Sequence, residues 1–460
     1  MRYPGCIKPM DAILLISLFS SLASSAQRSG ENENSPATNP EYRIARWYGF
    51  KQAAFSITFD DNTRLQFTHA LPLLNEHNYK ATFFIVTNWV REKVMSPGWD
   101  TLNMVALQGH EIGSHSKNHA NFDTLSLNPQ YADSMRRELE DSRNTINAHI
   151  HSQQCETFCW PGGAVTDSAI AVADKYYMAC RGSNNYYNGP VPYNFYNIYS
   201  QHIYHSTPLV VVDSYINDIL FREGWLVERW HGFRVGQDTC GYEPVPIEIF
   251  QDHLNYVAQK EDSLWISPMH NVVKYIRERE NSTLTVVDTT PSSIIMSLTD
   301  NLPDTLFHYN LPLSLKVRLN GKLASLTGIT QNNVPLSYTI KTEDGGKYVY
   351  FDAVPNSGLI DCLTAPKSVS GIQSSGPDFP RVYPNPFASA STVIFDVSEP
   401  ELVYIRVYNS QGIMVKNYSR NCSSGPNKVT IDAGDLPSGV YCCCLESHET
   451  ISVLRMILTH

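Results

Sequence analysis

Between Tyr42 and about Glu280, short apolar runs alternate with stretches of helical character, and few folds accept that rhythm. Ala54–Phe59 reads as a strand, Leu65–His77 as a helix and Ala81–Thr87 as a second strand. Further helices are expected around Thr101–Gln108, ended by Gly109, and over Pro129–Ala148. Such alternation is satisfied by a mainly parallel sheet, open or closed into a barrel, with the helices packed on it, so the expected class is α/β. Barrels of this kind place their chemistry at the C-terminal ends of the strands. The first strand ends there in two adjacent carboxylates, Asp60 and Asp61, followed by Asn62. Asp-Asp-Asn is also ordinary turn or helix-cap material, so the pair gains meaning only from its company.

The remainder of the chain has a different texture. Residues 281–363 carry Thr-, Ser- and Val-rich alternation with turn signals at Asn320-Gly321 and Asp344-Gly345-Gly346, the pattern of a small all-β domain. Residues 364–378 are a linker by composition, and 379–460 return to short alternating strands, enough for a compact β-sandwich. At the other end, Arg2 and Lys8, the apolar run Ala12–Leu22 and Ser24-Ser25-Ala26 read as a signal peptide over 1–26, with Asp11 untidy at its edge. A Ser-, Asn-, Glu- and Pro-rich leader follows over 27–41. The apolar run is too short to span a bilayer and no later one is longer, so a soluble, exported protein without a stable membrane span is expected. A net charge of −10 argues against a sequence-independent nucleic-acid binder. Among the ten cysteines, Cys155, Cys159, Cys180 and Cys240 share one region and could form up to two bridges in an oxidising compartment; a zinc cluster from them is the weaker option. No physical reason for the consecutive Cys442-Cys443-Cys444 is evident.

The decisive stretch is Gly109-His110-Glu111-Ile112-Gly113-Ser114-His115-Ser116-Lys117-Asn118-His119. His115 and His119 are four residues apart, so on a helical turn both imidazoles would face one side and could share a metal. With Asp60-Asp61, one carboxylate and two imidazoles could bind a divalent ion and leave positions open for water and substrate. The other carboxylate would be free to take a proton from that water.

Thr58-Phe59-Asp60-Asp61-Asn62 followed by His115-Ser116-Lys117-Asn118-His119 resembles the first two motifs of the polysaccharide deacetylases, the NodB-homology carbohydrate esterases. The resemblance covers roughly residues 50–280 of a domain expected over 42–280. It implies a distorted (β/α) barrel of NodB type, followed here by two small all-β sandwich-like domains. It also implies metal-assisted removal of acetyl groups from a glycan, with Asp60 as general base and Asp61, His115 and His119 as metal ligands. Zinc is the expected metal, and cobalt or nickel would suit the same ligands. Phe158-Cys159-Trp160-Pro161-Gly162-Gly163 is similar to the third motif, which implies an oxyanion-stabilising backbone N–H on Trp160. The arginine that usually precedes this turn is absent, since Glu156-Thr157-Phe158 stands there. The fourth motif is not recognisable, and Arg181 is offered as a substitute partner for Asp60. Trp225–Gly232 is similar to the fifth, a strand ending in a proton-donating His231, although Arg229 makes it more polar than the family pattern. Asn62 stands where that pattern has glycine. His149, His151, His202, His205 and His270 have no motif context and are read as structural or surface residues.

The tail carries a second resemblance. Val382-Tyr383-Pro384-Asn385-Pro386-Phe387, Val407-Tyr408-Asn409-Ser410-Gln411-Gly412 and Leu436-Pro437-Ser438-Gly439-Val440-Tyr441 resemble a type IX secretion C-terminal sorting domain. That implies the type IX machinery as a partner and a secreted or outer-surface location in a Bacteroidetes-type bacterium. The activity expected is that of a secreted deacetylase on an acetylated glycan, N-acetyl slightly favoured over O-acetyl. The alternative is a glycan-binding protein on a barrel that has lost catalysis, suggested by the missing arginine and the unclear fourth motif.

Overall fold

The computed structural model describes residues 41–460 apart from 91–95, 291, 304, 365–379, 410–412, 448–450 and 460. The expected signal peptide, the leader before Glu41 and nearly all of the linker lie outside the described residues. Eight parallel strands form the first sheet: β1 (Ala53–Phe59), β2 (Thr82–Ile85), β3 (Glu111–Ser114), β4 (Thr157–Cys159), β5 (Ala179–Arg181), β6 (Gln201–His202), β7 (Trp225–Trp230) and β8 (Leu264–Ile266). β1 to β5 pair in chain order, β7 pairs with β1 and β6, and a parallel bridge from Arg181 to Ile198 joins β5 to the approach of β6. The sheet therefore closes into a barrel. β8 pairs only with the N-terminal half of β1.

Each strand alternates between the two faces, as a period of two requires. Phe55, Ile57 and Phe59 of β1 point outward into the core beneath the surrounding helices, whereas Ala54 points inward. On β7 the outward set is Leu226 and Trp230 and the inward set Trp225 and Val227. Gly113 is required on β3, because a Cβ there would lie 2.7 Å from the Phe84 ring. The helix α1 (Met269–Asn281) follows β8 and supplies Met269, Val272, Val273 and Ile276 to the inner cluster, with Trp47 and Tyr309 beside them. The end of the barrel remote from the C-terminal strand ends is thus plugged. The expected Leu65–His77 helix is two consecutive helical segments, Gln66–Ala70 in π geometry and Leu71–Glu76. Those around 101–108 and 129–148 fall at Trp99–Leu107 and Ala132–His149.

The next region is a two-sheet sandwich. One sheet orders Tyr42–Ile44, Leu313–Arg318, Gly346–Ala353 and Tyr338–Glu343; the other contains Thr283–Thr289, Ser293–Thr299, Ile360–Thr364, Leu326–Gln331 and Val334–Pro335. The strand Tyr42–Ile44 precedes the barrel in sequence, yet it pairs antiparallel with Leu313–Arg318. The sandwich core reaches Tyr275 of α1, whose hydroxyl donates to the Ala45 carbonyl at 3.0 Å. The C-terminal region is a second sandwich with its own core around Val393, Ile405, Ile431, Cys443 and Leu445. Along its strand Gly439–Glu446 the cysteine triplet alternates with the pleat: Cys442 exposed, Cys443 buried, Cys444 between. Cys155, Cys159, Cys180 and Cys240 are all buried and free, so no bridge forms among them. Cys159 points inward and Cys180 outward on neighbouring strands, which keeps that pair on opposite faces of the sheet. No helix among the described residues is long and apolar enough to cross a membrane.

Candidate active site at the C-terminal strand ends

The inward positions at the open end of the barrel carry polar groups rather than apolar ones. β1 ends at Asp60, β3 at His115, β4 carries Cys159, β5 ends in Arg181, and β7 carries Arg229 and leads into His231. Gln66 fixes the register of two of these ends, donating from Nε2 to the carbonyls of Asp60 at 2.5 Å and His231 at 2.7 Å.

Asp61 and Asn62 both adopt positive φ, 73° and 39°. Asn62 tolerates this and is held there: its Oδ1 accepts from the Val86 N–H at 3.0 Å and its Nδ2 donates to Ser96 at 2.7 Å. The turn throws the two neighbouring carboxylates to different places. The loop His115–His119 is not a helical turn, contrary to the sequence expectation. It follows β3 directly, with Ser116 and His119 at φ 66° and 60°. Glu138 pins it, accepting from the Asn118 N–H at 2.8 Å and from Asn118 Nδ2 at 2.6 Å, and Lys117 pairs with Asp141 at 2.8 Å. The imidazoles nevertheless converge: Asp61 Oδ1 lies 3.6 Å from His115 Nε2 and 3.5 Å from His119 Nε2. The exposed Trp89 stacks on the His119 ring with centroids 5.3 Å apart.

These three groups fit a divalent ion. Asp61 Oδ1 is buried without a hydrogen-bond partner. His115 Nδ1 donates to the Cys159 carbonyl at 2.8 Å, which leaves its Nε2 lone pair facing Asp61. Burial pushes His115 down to about 4 and lowers His119, which favours the neutral form that could bind a metal. Burial, then repulsion from Asp60, drives the Asp61 carboxyl up to about 7. Asp60, His115 and Cys159 also lie close enough to be considered for a metal. There, however, burial raises the thiol well above its ordinary range, and Asp60 is already engaged.

Asp60 is held by Arg181. A single guanidinium nitrogen, Nη2, donates to both carboxylate oxygens at 2.5 Å and lies 2.6 Å from the Cys159 sulfur, while Nη1 donates to the Gly182 carbonyl at 3.0 Å. Burial alone would raise the Asp60 carboxyl; Arg181, then His115 and His231, hold it far below the usual carboxylate range. His231 Nε2 sits 3.4 Å from Asp60 Oδ2, and burial pushes its imidazole down to about 4.

The structure corrects the assignment of Trp160. Its backbone N–H donates to the Arg181 carbonyl at 3.1 Å as a rung of the sheet, so it is not free for an oxyanion. Its side chain points outward against Phe122 and Phe158, and its indole N–H donates to the Tyr196 carbonyl at 2.8 Å. In the following turn Pro161 has no N–H and Gly163 donates back to Trp160, which leaves Gly162, at φ 62° with open space before it. His202, read from the sequence as a structural or surface residue, is buried with its ring centroid 4.7 Å from that of His231. In the sequence it is a histidine two residues before Tyr204 with no recognisable motif.

Residues 49–180 match the family model described as polysaccharide deacetylase, and residues 381–459 match that of a secretion system C-terminal sorting domain. A gellan lyase of Bacillus sp is 26% identical over 348 residues, which cover 71% of this chain and 13% of that protein. A peptidoglycan-N-acetylglucosamine deacetylase of Bacillus cereus is 28% identical over 129 residues, 26% of this chain and 45% of that one. The chain thus spans less than half the length of the curated relatives it matches. Among solved structures, the Xyl-CE4 domain of a multidomain xylanase from the hindgut metagenome of Trinervitermes trinervoides aligns at 16% identity and a TM-score of 0.32, covering 48% of this chain and 89% of that one. Residues 49–180 belong to a polysaccharide deacetylase domain, and residues 381–459 form a secretion-system C-terminal sorting domain.

Proposed function

We propose that the chain is an exported, metal-dependent hydrolase that removes acetyl groups from a glycan. The observation that carries this reading is the separation of the two adjacent carboxylates. Asp61 turns to two neutral imidazoles, whereas Asp60 turns to Arg181 and His231. A divalent ion on Asp61, His115 and His119, zinc by default, would polarise the acyl carbonyl and acidify a bound water. Asp60, kept ionised and oriented by Arg181, takes a proton from the attacking water. A resting His231 is neutral, and its 3.4 Å contact with Asp60 gives it a route to the proton that it delivers to the leaving amine or alcohol. The Gly162 N–H is the amide of the β4 turn left to meet the developing oxyanion.

The family match and the deacetylase of Bacillus cereus support an N-acetyl substrate; an O-acetyl ester would meet the same groups. The sorting domain supports export through type IX machinery to the cell surface of a Bacteroidetes-type bacterium. The binding-only alternative drew on the missing third-motif arginine and the unclear fourth motif, and the contact of Arg181 with Asp60 weighs against the first of these. The test is acetate release from a panel of acetylated glycans, with metal content measured in parallel. Asp60→Asn should keep metal and lose activity, and His115→Ala should lose metal. A wild-type protein that takes up no divalent ion would sink the reading.

A further inference from the structure

Beside the acid–base pair lies a cationic recess that the reaction above does not use. Arg229 and His202 are paired in register across β7 and β6, so their side chains share the inner face. Arg229 is only 7% exposed, yet its Nε has no partner. Among the described residues its Nη2 reaches only the Ser183 carbonyl at 3.3 Å and Asn185 Oδ1 at 3.5 Å, and neither is a carboxylate. His202 Nε2 and His231 Nδ1 are likewise buried without partners. Tyr204 and Tyr242 stand at the rim, their rings 3.9 and 6.2 Å from His202, and both are exposed. Arg181 is spent on Asp60, so it offers no free donor here.

A buried guanidinium that no carboxylate contacts directly among the described residues is costly, and a core selected for stability alone would carry an apolar residue of similar volume there. Burial, then Arg181, brings even this guanidinium down to about 10, although Asp60 pulls the other way. Arg229 lies two residues before His231 on the same inner face, and the His202 ring meets that of His231 at 4.7 Å, so both stand beside the place where the acyl group and its sugar must lie if Asp60 and His231 act as proposed. We infer that Arg229, with His202, is a specificity site for a carboxylate on the substrate, so that the enzyme acts on an acidic acylated glycan. The carboxylate is either that of a uronic acid residue next to the scissile acyl group or part of the acyl group itself. This deepens the deacetylase reading and rests on it for the word substrate, but the anion site stands or falls separately.

The experiment uses the metal-loaded full chain and two matched pairs: O-acetylated polygalacturonate against its methyl ester, and N-succinyl against N-acetyl chitosan oligosaccharide. Wild type should favour the charged member of one pair by about ten- to hundredfold in kcat/KM, the scale of a charge-assisted hydrogen bond. Preference in the first pair assigns the charge to the sugar, and in the second to the acyl group. Arg229→Leu should lose the preference and Arg229→Lys should keep part of it; Arg229→Gln serves if the leucine variant does not fold. Calorimetric binding of polygalacturonate and of its methyl ester separates the two ideas. Charge-selective binding lost in Arg229→Leu, with no acyl release from any substrate, upholds the anion site and removes the deacetylase. Turnover and binding indifferent to charge, or a preference retained by Arg229→Leu, overturns the anion site.

Discussion

Replacing Arg181 by methionine is the most informative perturbation of this barrel. The side chain is 1% exposed and its Nη2 is the hydrogen-bond donor that both Asp60 oxygens share. Methionine fills much of the volume but leaves a buried carboxylate unpaired. Breaking a buried pair from one side costs about 3–5 kcal/mol. For a domain of this size that lowers Tm by roughly 6–20 °C. The loss should be measured on chelator-treated protein, so that metal affinity does not mask it. Activity should fall about a hundredfold or more, because Asp60 loses its orientation. The double variant Arg181→Met/Asp60→Asn should recover much of the stability, since it no longer buries a charge, and none of the activity. If Arg181→Met lost less than about 1 kcal/mol, or if the double variant were no more stable than the single, the ion pair would not be what holds Asp60.

Other expectations follow from the same geometry. His231→Asn should retain metal and lose about 10²–10⁴-fold in kcat, read by acetate release alongside metal analysis. Trp160→Phe removes the bond to the Tyr196 carbonyl and should cost about 1–3 kcal/mol in urea denaturation while leaving kcat near wild type; a large fall in kcat would restore Trp160 to the site. His253, fully buried, lies 2.7 Å from Asp213 and 3.1 Å from Glu228. Burial opposes its charge, but Glu228 and then Asp213 raise it to about 9 from an ordinary 6.5. Its contribution, roughly 3 kcal/mol, is therefore complete below pH 6.5 and lost as pH rises through 9. Urea midpoints should fall across that window in wild type. In His253→Gln the contribution should be missing already at pH 6.

What was legible in the sequence was chemistry that sits in short continuous motifs. Asp60, Asp61 and His231 could be singled out because each follows a strand-like run, and His115 and His119 because they share one short stretch with a fixed spacing. The His115–His119 geometry was misjudged because spacing alone cannot distinguish a helical turn from a loop with two left-handed residues pinned by Glu138. Trp160 was misjudged for a related reason: whether its N–H is free depends on how β4 registers with β5, which involves a strand remote in sequence. Arg229 and His202 were visible only as polarity out of place. Their meaning needs the pairing of β6 with β7, and no local pattern encodes that. The edge strand Tyr42–Ile44 was assigned to the barrel domain by adjacency alone.

That edge strand bears on the order in which the molecule can assemble. Tyr42–Ile44 finds its partner only in Leu313–Arg318, which lies beyond the whole barrel sequence. A chain emerging N-terminus first must therefore leave this segment unpaired until the barrel and the first strands of the sandwich have followed it. Neither half is a simple continuous module. Ending the chain after Asn281 would remove the partner of the leading strand and strip cover from Tyr275 and Trp265. Limited proteolysis should consequently release the C-terminal sorting domain cleanly, while the barrel and the first sandwich survive or are lost together.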